Sequence, residues 1–236
     1  MSAMLELEGV TSGYDGIPII RDVTFEIGEG QILAVVGRNG AGKTTLARTI
    51  IGLLQPSRGK ILLRGEDVTR SDARERALAG IGYVPQGRGI FGRLTVDENL
   101  LLGTAVGKRA ASERALVDVY KLFPILEQRR LQKGGTLSGG EQQMLAIGRV
   151  LIGAPSLLVL DEPSDGIQPS IVEQISNLVV QLNQDHGLTT LLVEQNIDMV
   201  VSCAHRCFVM DKGSIVTEVS PKGLEDPEFA RQYLAV

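Results

Sequence analysis

Residues Gly37, Arg38, Asn39, Gly40, Ala41, Gly42, Lys43 and Thr44 read G-R-N-G-A-G-K-T, a full match to the pattern G-x-x-x-x-G-K-[ST], and they directly follow the apolar run Ile32-Leu33-Ala34-Val35-Val36. Glycines at those positions leave room for consecutive backbone N–H groups to close around a β-phosphate. The lysine reaches the β- and γ-phosphates, and the last hydroxyl is a ligand for Mg²⁺. From Thr45 to Ile51 the chain continues with helical spacing, so the loop opens onto a helix N-terminus that carries about half a positive charge. A second chemical element is Leu157-Leu158-Val159-Leu160-Asp161-Glu162, an apolar strand ending in two carboxylates. In a parallel sheet, strand ends of one polarity meet at one edge, which brings Asp161 to the Mg²⁺ beside Thr44. Glu162 is then placed to orient and deprotonate a water in line with the γ-phosphate. A third element is Leu137-Ser138-Gly139-Gly140-Glu141-Gln142-Gln143. Ser138 with Glu141 forms a capping box, and a glycine-flanked helix N-terminus with a hydroxyl is an anion site.

Positioning these groups requires a sheet with buried strands. The continuous apolar runs at 32–36, 81–84, 157–160 and 189–193 have the character of strands covered on both faces, each separated by helical stretches, which predicts an α/β fold with a parallel core sheet. Residues Leu5 to Val10 and Ile19 to Ile27 alternate apolar with polar and predict a small antiparallel sheet around the loop Ser12-Gly13-Tyr14-Asp15-Gly16. Between Gln86 and Leu137 the periodicity becomes helical, and Thr95-Val96-Asp97-Glu98 is a capping box opening a helix. One nucleotide-binding domain is expected, its core formed by 1–86 and 138–236, with a helical subdomain at 87–137 inserted into it. The tail from Arg206 predicts two short strands and a terminal helix.

Composition narrows the function classes. The chain has 236 residues, 43% of them hydrophobic, and a formal net charge of −4, so it can bury a substantial core but offers no basic surface for nucleic acid. No apolar run approaches the roughly 18 residues that span a bilayer, and the N-terminus has no basic segment followed by an apolar one. A cytosolic location is expected. Cys203 and Cys207, four apart with His205 between them, are expected on one helix; a metal site would need more ligands nearby, so two reduced core cysteines is the preferred reading. His186, followed by Gly187, suggests a solvated helix end.

The loop, the paired carboxylates and above all Leu137 to Gln143 resemble the motifs of ATP-binding-cassette (ABC) ATPases, and the likeness extends over about residues 4 to 218. It implies a phosphate-loop (P-loop, RecA-like) core with an antiparallel β subdomain and an inserted helical subdomain, with ATP and Mg²⁺ as cofactors. By that resemblance Tyr14 matches the aromatic that stacks on adenine, Gln86, after Tyr83-Val84-Pro85, matches the glutamine touching Mg²⁺ and the attacking water, and Ser138, Gly139 and Gly140 serve ATP held by a second subunit. Three departures stand out: Glu141 where the signature has glutamine, Gln168 where many relatives carry the loop aspartate that pairs across the dimer, and Gln195 where the switch histidine is expected. Gln195 can donate a neutral hydrogen bond to a γ-phosphate oxygen but cannot become charged.

Within the family the chain resembles the second ATPase of importers for branched-chain amino acids, urea and short-chain amides. The stretches that carry this are Val84 to Arg88, Leu94 to Leu100, Leu137 to Gly148, Gly166-Ile167-Gln168-Pro169-Ser170 and Leu192 to Asn196. The resemblance implies a peripheral protein on the cytoplasmic face of the inner membrane. Its partners would be a non-identical ATPase, two transmembrane permease subunits and, indirectly, a solute-binding protein. Phe91, Leu94 and Val96 are candidates for a groove that receives the permeases. An export ATPase, or a soluble cassette acting on ribosomes or DNA, is the alternative.

Overall fold

The computed structural model describes residues 2–105, 116 and 118–233. Two sheets form its frame. The larger has six strands in the order β10-β9-β3-β8-β7-β6, where β3 is Ile32–Val36, β6 is Ile81–Val84, β7 is Leu157–Asp161, β8 is Thr189–Glu194, β9 is Arg206–Asp211 and β10 is Ser214–Val219. All neighbours are parallel except the β9–β10 hairpin. The smaller sheet is antiparallel, in the order β2-β1-β4-β5, with β1 at Ala3–Tyr14, β2 at Ile17–Gly28, β4 at Arg58–Leu63 and β5 at Glu66–Asp67. The expected five-residue loop around Tyr14 is much shorter, because β1 runs to Tyr14 and β2 resumes at Ile17. Asp15 and Gly16, both at positive φ, make the turn.

Period two explains why the core strands read as continuous apolar runs. On β3, β7 and β8, Ile32, Ala34, Val36, Leu158, Leu160 and Leu192 point to one core, and Leu33, Val35, Leu157, Val159, Leu191 and Val193 to the other. The first core is covered by α5 (Gly139–Leu151), α6 (Pro169–His186) and α7 (Ile197–Cys203). The second lies between the two sheets and holds α1 (Lys43–Ile50) through Leu46, Ala47 and Ile50. Near one end of α1, α2 (Ala73–Leu78) inserts a fully buried Arg76, which donates to the carbonyls of Thr49 (2.8 Å), Ile50 (2.7 Å), Thr69 (3.0 Å) and Ser71 (3.1 Å).

Between β6 and α5 lie α3 (Val96–Leu102) and α4 (Pro124–Gln128), with helical residues also at 118–122. Both expected capping boxes close: Thr95 with Glu98 and Ser138 with Glu141. The C-terminal tail holds β9, β10 and α8 (Pro227–Tyr233), as its pattern predicts. His186 ends α6, and Gly187 follows it in the left-handed conformation.

One expectation fails. Cys203 ends α7 while Cys207 lies in β9, so the two are not on one helix. Ala204 is extended, and His205 breaks the periodicity because its backbone and side chain are committed to β3: its N–H donates to the Ile32 carbonyl (2.8 Å) and its Nδ1 accepts from the Ile32 N–H (3.1 Å). Both thiols are buried and unpaired with each other, and no metal-binding cluster occurs among the described residues. No helix among the described residues is long and apolar enough to cross a membrane.

Candidate active site

The loop Gly37–Thr44 leaves the end of β3 and opens α1, as its spacing predicts. Close approach explains two of its glycines: a Cβ on Gly37 would stand 2.2 Å from the Met210 carbonyl oxygen of β9, and Gly42 has φ 107 with the Ile20 side chain 3.1 Å from its would-be Cβ. Gly42 caps α1 with no side-chain acceptor, and the first turn carries no acid. Its N–H groups and dipole are therefore available to phosphate oxygens. The Lys43 ammonium is buried. It donates to the carbonyls of Gly37 (2.9 Å) and Arg38 (3.3 Å) and pairs with Glu162 Oε1 at 3.3 Å.

Strand β7 delivers the carboxylates because β8 inserts between it and β3, and Asp161 lies opposite Val193 in the ladder. Asp161 is buried; its Oδ1 accepts the Thr44 hydroxyl (3.2 Å) and its Oδ2 the Tyr83 hydroxyl (3.0 Å). Burial raises the pKa of this carboxyl, and the neighbouring Glu162 charge adds to the rise against the two hydroxyl bonds. A divalent cation there would relieve that cost. Thr44, Asp161 and the amide oxygen of Gln86 are hard oxygen donors of the kind Mg²⁺ takes, so the residues fit that ion. Glu162 stands at φ 48, a left-handed position rare for a residue with a side chain. Its Oε2 accepts from Gln86 Nε2 at 2.8 Å, and the same amide nitrogen lies 3.4 Å from Asp165 Oδ2.

A cleft of about 380 Å³ is lined by Tyr14, Asn39, Gly40, Gly42, Lys43, Thr44, Thr45, Gln86 and Glu162, together with Ile19. The predicted base, phosphate and metal groups therefore meet at one place. Tyr14 is 39% exposed there, and its hydroxyl accepts from Arg48 Nη1 at 3.1 Å. Arg38 differs from the rest of its loop: its side chain turns outward and donates to the Arg231 carbonyl of α8 (3.1 Å). Only its backbone is turned to Lys43. Gln195 is exposed just past β8 and does not line the cleft; its N–H donates to Glu194 Oε2 (2.6 Å).

Ser138, Gly139 and Gly140 also lie outside the lining of this cleft. Ser138 accepts the Glu141 N–H (3.3 Å) and Glu141 Oε2 the Ser138 N–H (2.7 Å), so Glu141 performs the capping that its position predicts. The Ser138 hydroxyl proton remains available to an acceptor beyond the chain.

Three contributors escaped the sequence reading. In the sequence Tyr83 stands only as a neighbour of Gln86, yet it bonds Asp161. Arg48 has no motif. Glu194 is buried and accepts three backbone N–H groups, from Ser164 (2.9 Å), Gln195 (2.6 Å) and Asn196 (2.8 Å). The apolar run Leu191-Leu192-Val193 ending in a carboxylate is a usable signal for Glu194. Nothing local pointed to the other two. Of the groove candidates, Phe91 is 52% exposed, whereas Val96 is fully buried in the core and cannot meet a partner.

A glycine-rich loop opening a helix, with a buried aspartate bonded to its threonine and a glutamate paired with its lysine at the edge of a parallel sheet, is the arrangement of a nucleoside triphosphatase core, and the separate helix-capping serine signature narrows the class. The comparisons agree. Residues 20–165 match the family model described as "ABC transporter". The chain is 40% identical to the high-affinity branched-chain amino acid transport ATP-binding protein BraG of Pseudomonas aeruginosa, over 98% of its own length and 99% of that protein's. It is 31% identical to the lipopolysaccharide export system ATP-binding protein LptB of Acidithiobacillus ferridurans, over 98% and 96%. Its fold superposes on the ADP conformation of an ATP-binding cassette of an ABC transporter with a TM-score of 0.86 at 26% identity, covering 98% of each chain. The chain belongs to the ABC transporter ATPases, and it is an ATP-binding, ATP-hydrolysing subunit.

Proposed function

We propose that this ATPase powers an importer of small polar solutes, with branched-chain amino acids, urea or short-chain amides as the solute class. The observation that carries the reading is the division of the site: the chain's own cleft is lined by Lys43, Thr44, Gln86 and Glu162, while Ser138 to Gly140 are not part of its lining. Each chain thus contributes one half to each of two composite sites. Similarity favours the amino acid branch, since the branched-chain amino acid protein is closer to this chain than the export protein. Gln195 in place of the switch histidine and the stretch Gly166 to Ser170 fit an exporter less well, and Gly166 to Ser170 by itself leans toward the urea and amide branch.

In this reading Tyr14 stacks on adenine, and residues 37–45, with Arg38 through its backbone, wrap the phosphates. Thr44, Asp161 and Gln86 would hold Mg²⁺, which when bound would supply positive charge against the phosphates. Glu162 takes the proton of the attacking water, Gln86 holds that water and the carboxylate in line, and Lys43 stays on the γ-phosphate as charge builds. Gln195 adds a neutral donor to a γ-phosphate oxygen.

Residues 87–137, of which 106–115 and 117 lie outside the described residues, act as the helical subdomain that meets the permeases. A groove of about 480 Å³ lies between it and the core, lined by Ile51, Leu53, Ala77, Tyr83, Phe91 and Leu102 among others, and Leu53 and Phe91 are 58% and 52% exposed. Such an apolar groove suits a short amphipathic segment of a permease on the cytoplasmic face. The partners are a second, non-identical ATPase and two permeases, supplied by a solute-binding protein.

Purification of the tagged chain from its native membranes tests this. Two polytopic proteins and a second ATPase are expected to come with it, and deleting the gene should abolish uptake of the solute. Recovery of only a self-paired, fully active soluble dimer would overturn the heteromeric importer.

A further inference from the structure

Three consecutive residues after Gln86 have positive φ: Gly87 at 75°, Arg88 at 72° and Gly89 at 59°. Glycine adopts this region freely, but a residue with a Cβ is disfavoured there. The side chain at 88 is thus held against local preference, and such outliers cluster where the surroundings impose them for a purpose. Local bonds set the turn: the Arg88 N–H donates to the Pro85 carbonyl (3.0 Å) and the Gly89 N–H to the Gly87 carbonyl (2.8 Å).

The turn throws the guanidinium across a junction. Nη1 donates to Gln142 Oε1 (3.2 Å), in the first turn of α5. Nη2 donates to the Gly166 carbonyl (3.2 Å), in the loop that begins at Glu162. The same nitrogen lies 2.9 Å from where a Cβ on Gly139 would stand, so a side chain at 139 would have to push the guanidinium aside. Gln142 passes the contact on by donating to the Leu137 carbonyl (3.1 Å), just ahead of Ser138. Further along α5, Arg149 Nη2 donates to the Gly89 carbonyl (2.8 Å). The helix that starts at the serine signature is therefore tied twice to residues 88–89, and residues 162–166 are tied to it through one planar fork. Arginine suits this task, because its rigid fork reaches two acceptors at once where a lysine ammonium would sit on one.

We propose that Arg88 is a positioning residue that makes the signature turn at Ser138 and the loop Glu162–Gly166 move as one body. This rests on the composite-site reading. Each chain would then bind its partner's phosphate and aim its own base with a single rigid unit, so that engagement of Ser138 by one ATP registers at the Glu162 facing the other. Two of the five stretches that carry the importer resemblance, Val84 to Arg88 and Gly166 to Ser170, are joined by this bond.

Spin labels at Leu131 and Val216, 75% and 46% exposed, report the helical subdomain against the core in the full-length chain; the two native cysteines are buried. Electron–electron distance measurements should give one narrow distribution in the parent chain and a broadened or split one in both Arg88→Met and Arg88→Lys. ATP affinity and melting temperature should stay at parent values, because Arg88 does not line the cleft. In the assembled transporter, turnover should fall by about 10- to 100-fold, the scale of a misplaced catalytic group. Gln142→Leu removes only the acceptor on α5 and should reproduce the broadening, which keeps the test open if Arg88→Met fails to fold. Unchanged distributions in variants that bind ATP overturn the strut alone. A parent-like Arg88→Lys overturns the need for a fork. Failure of the parent chain to bind ATP overturns the site reading beneath it.

Discussion

Replacing Glu162 by glutamine separates its two contacts. Its carboxylate lies 3.3 Å from the Lys43 ammonium and 2.8 Å from the Gln86 amide nitrogen. At an effective dielectric constant of about 20, a pair of unit charges at that separation attracts by about 5 kcal/mol. Desolvation of the largely buried partners cancels most of this, leaving about 1 kcal/mol of net pairing. Glu162→Gln removes the negative charge that competes with phosphate for Lys43, so ATP should bind about fivefold tighter. Loss of the proton acceptor should lower turnover by about 10² to 10⁴. Titration calorimetry with ATP in chelator reads the first effect, and phosphate release in the assembled complex reads the second. Turnover at the parent rate would refute Glu162 as the base, and weaker ATP binding would refute the competition for Lys43. Lys43→Ala, the converse change, should abolish tight binding.

Tyr83→Phe should weaken Mn²⁺ binding to the ATP-loaded chain by about 10-fold, because it removes one of the two hydroxyls orienting Asp161; an unaltered Mn²⁺ resonance titration would count against that orientation. Arg76→Met leaves the carbonyls of Thr49, Ile50, Thr69 and Ser71 without their donor, and should cost about 3 to 5 kcal/mol. That corresponds to a melting point lower by about 10 °C in calorimetry. Gln195→Ala should reduce turnover modestly, and Gln195→His should add to the γ-phosphate affinity a pH dependence between about pH 5 and 8 that the parent chain lacks beyond the ligand's own titration; identical pH profiles for the parent and Gln195→His would contradict the role. Burial pushes both the Cys203 and the Cys207 thiol up to about 12, so neither should react with a disulfide reagent at neutral pH until the chain is unfolded.

The parts of the site readable in sequence are those whose chemistry is contiguous. Gly37 to Thr44, Asp161-Glu162 and the Ser138–Glu141 box each carry a complete local reason for their residue types, and four of the five parallel strands declare themselves as continuous apolar runs. What escaped depends on partners distant in the chain. Tyr83 meets Asp161, Arg88 meets Gly166 and Glu194 meets Ser164, and no window of sequence contains both members. Periodicity misled where a turn hid within it: the i, i+4 spacing of Cys203 and Cys207 suggested a helix, but His205 is bound to β3 and forces the chain into a strand. Val96 looked available to a partner because it opens a helix of the inserted region, yet it occupies that helix's buried face.

The strand order has a bearing on how the protein is made. Within the six-stranded sheet β3 bonds only to β8 and β9, with Ile32 opposite Thr190 and Leu33 opposite Arg206. A growing chain that has reached β7 therefore owns its phosphate loop but not the strands that brace it. Until Thr189–Glu194 emerges and slides between β3 and β7, the loop and the two carboxylates have no fixed spacing. Such long-range pairing is slow to find, since the entropy of closing the intervening chain must be met first. The antiparallel sheet of β1, β2 and β4 can close from the first 63 residues, and so it is free to form on the ribosome. Nucleotide binding, in contrast, must wait until residues 189–211 have been synthesised.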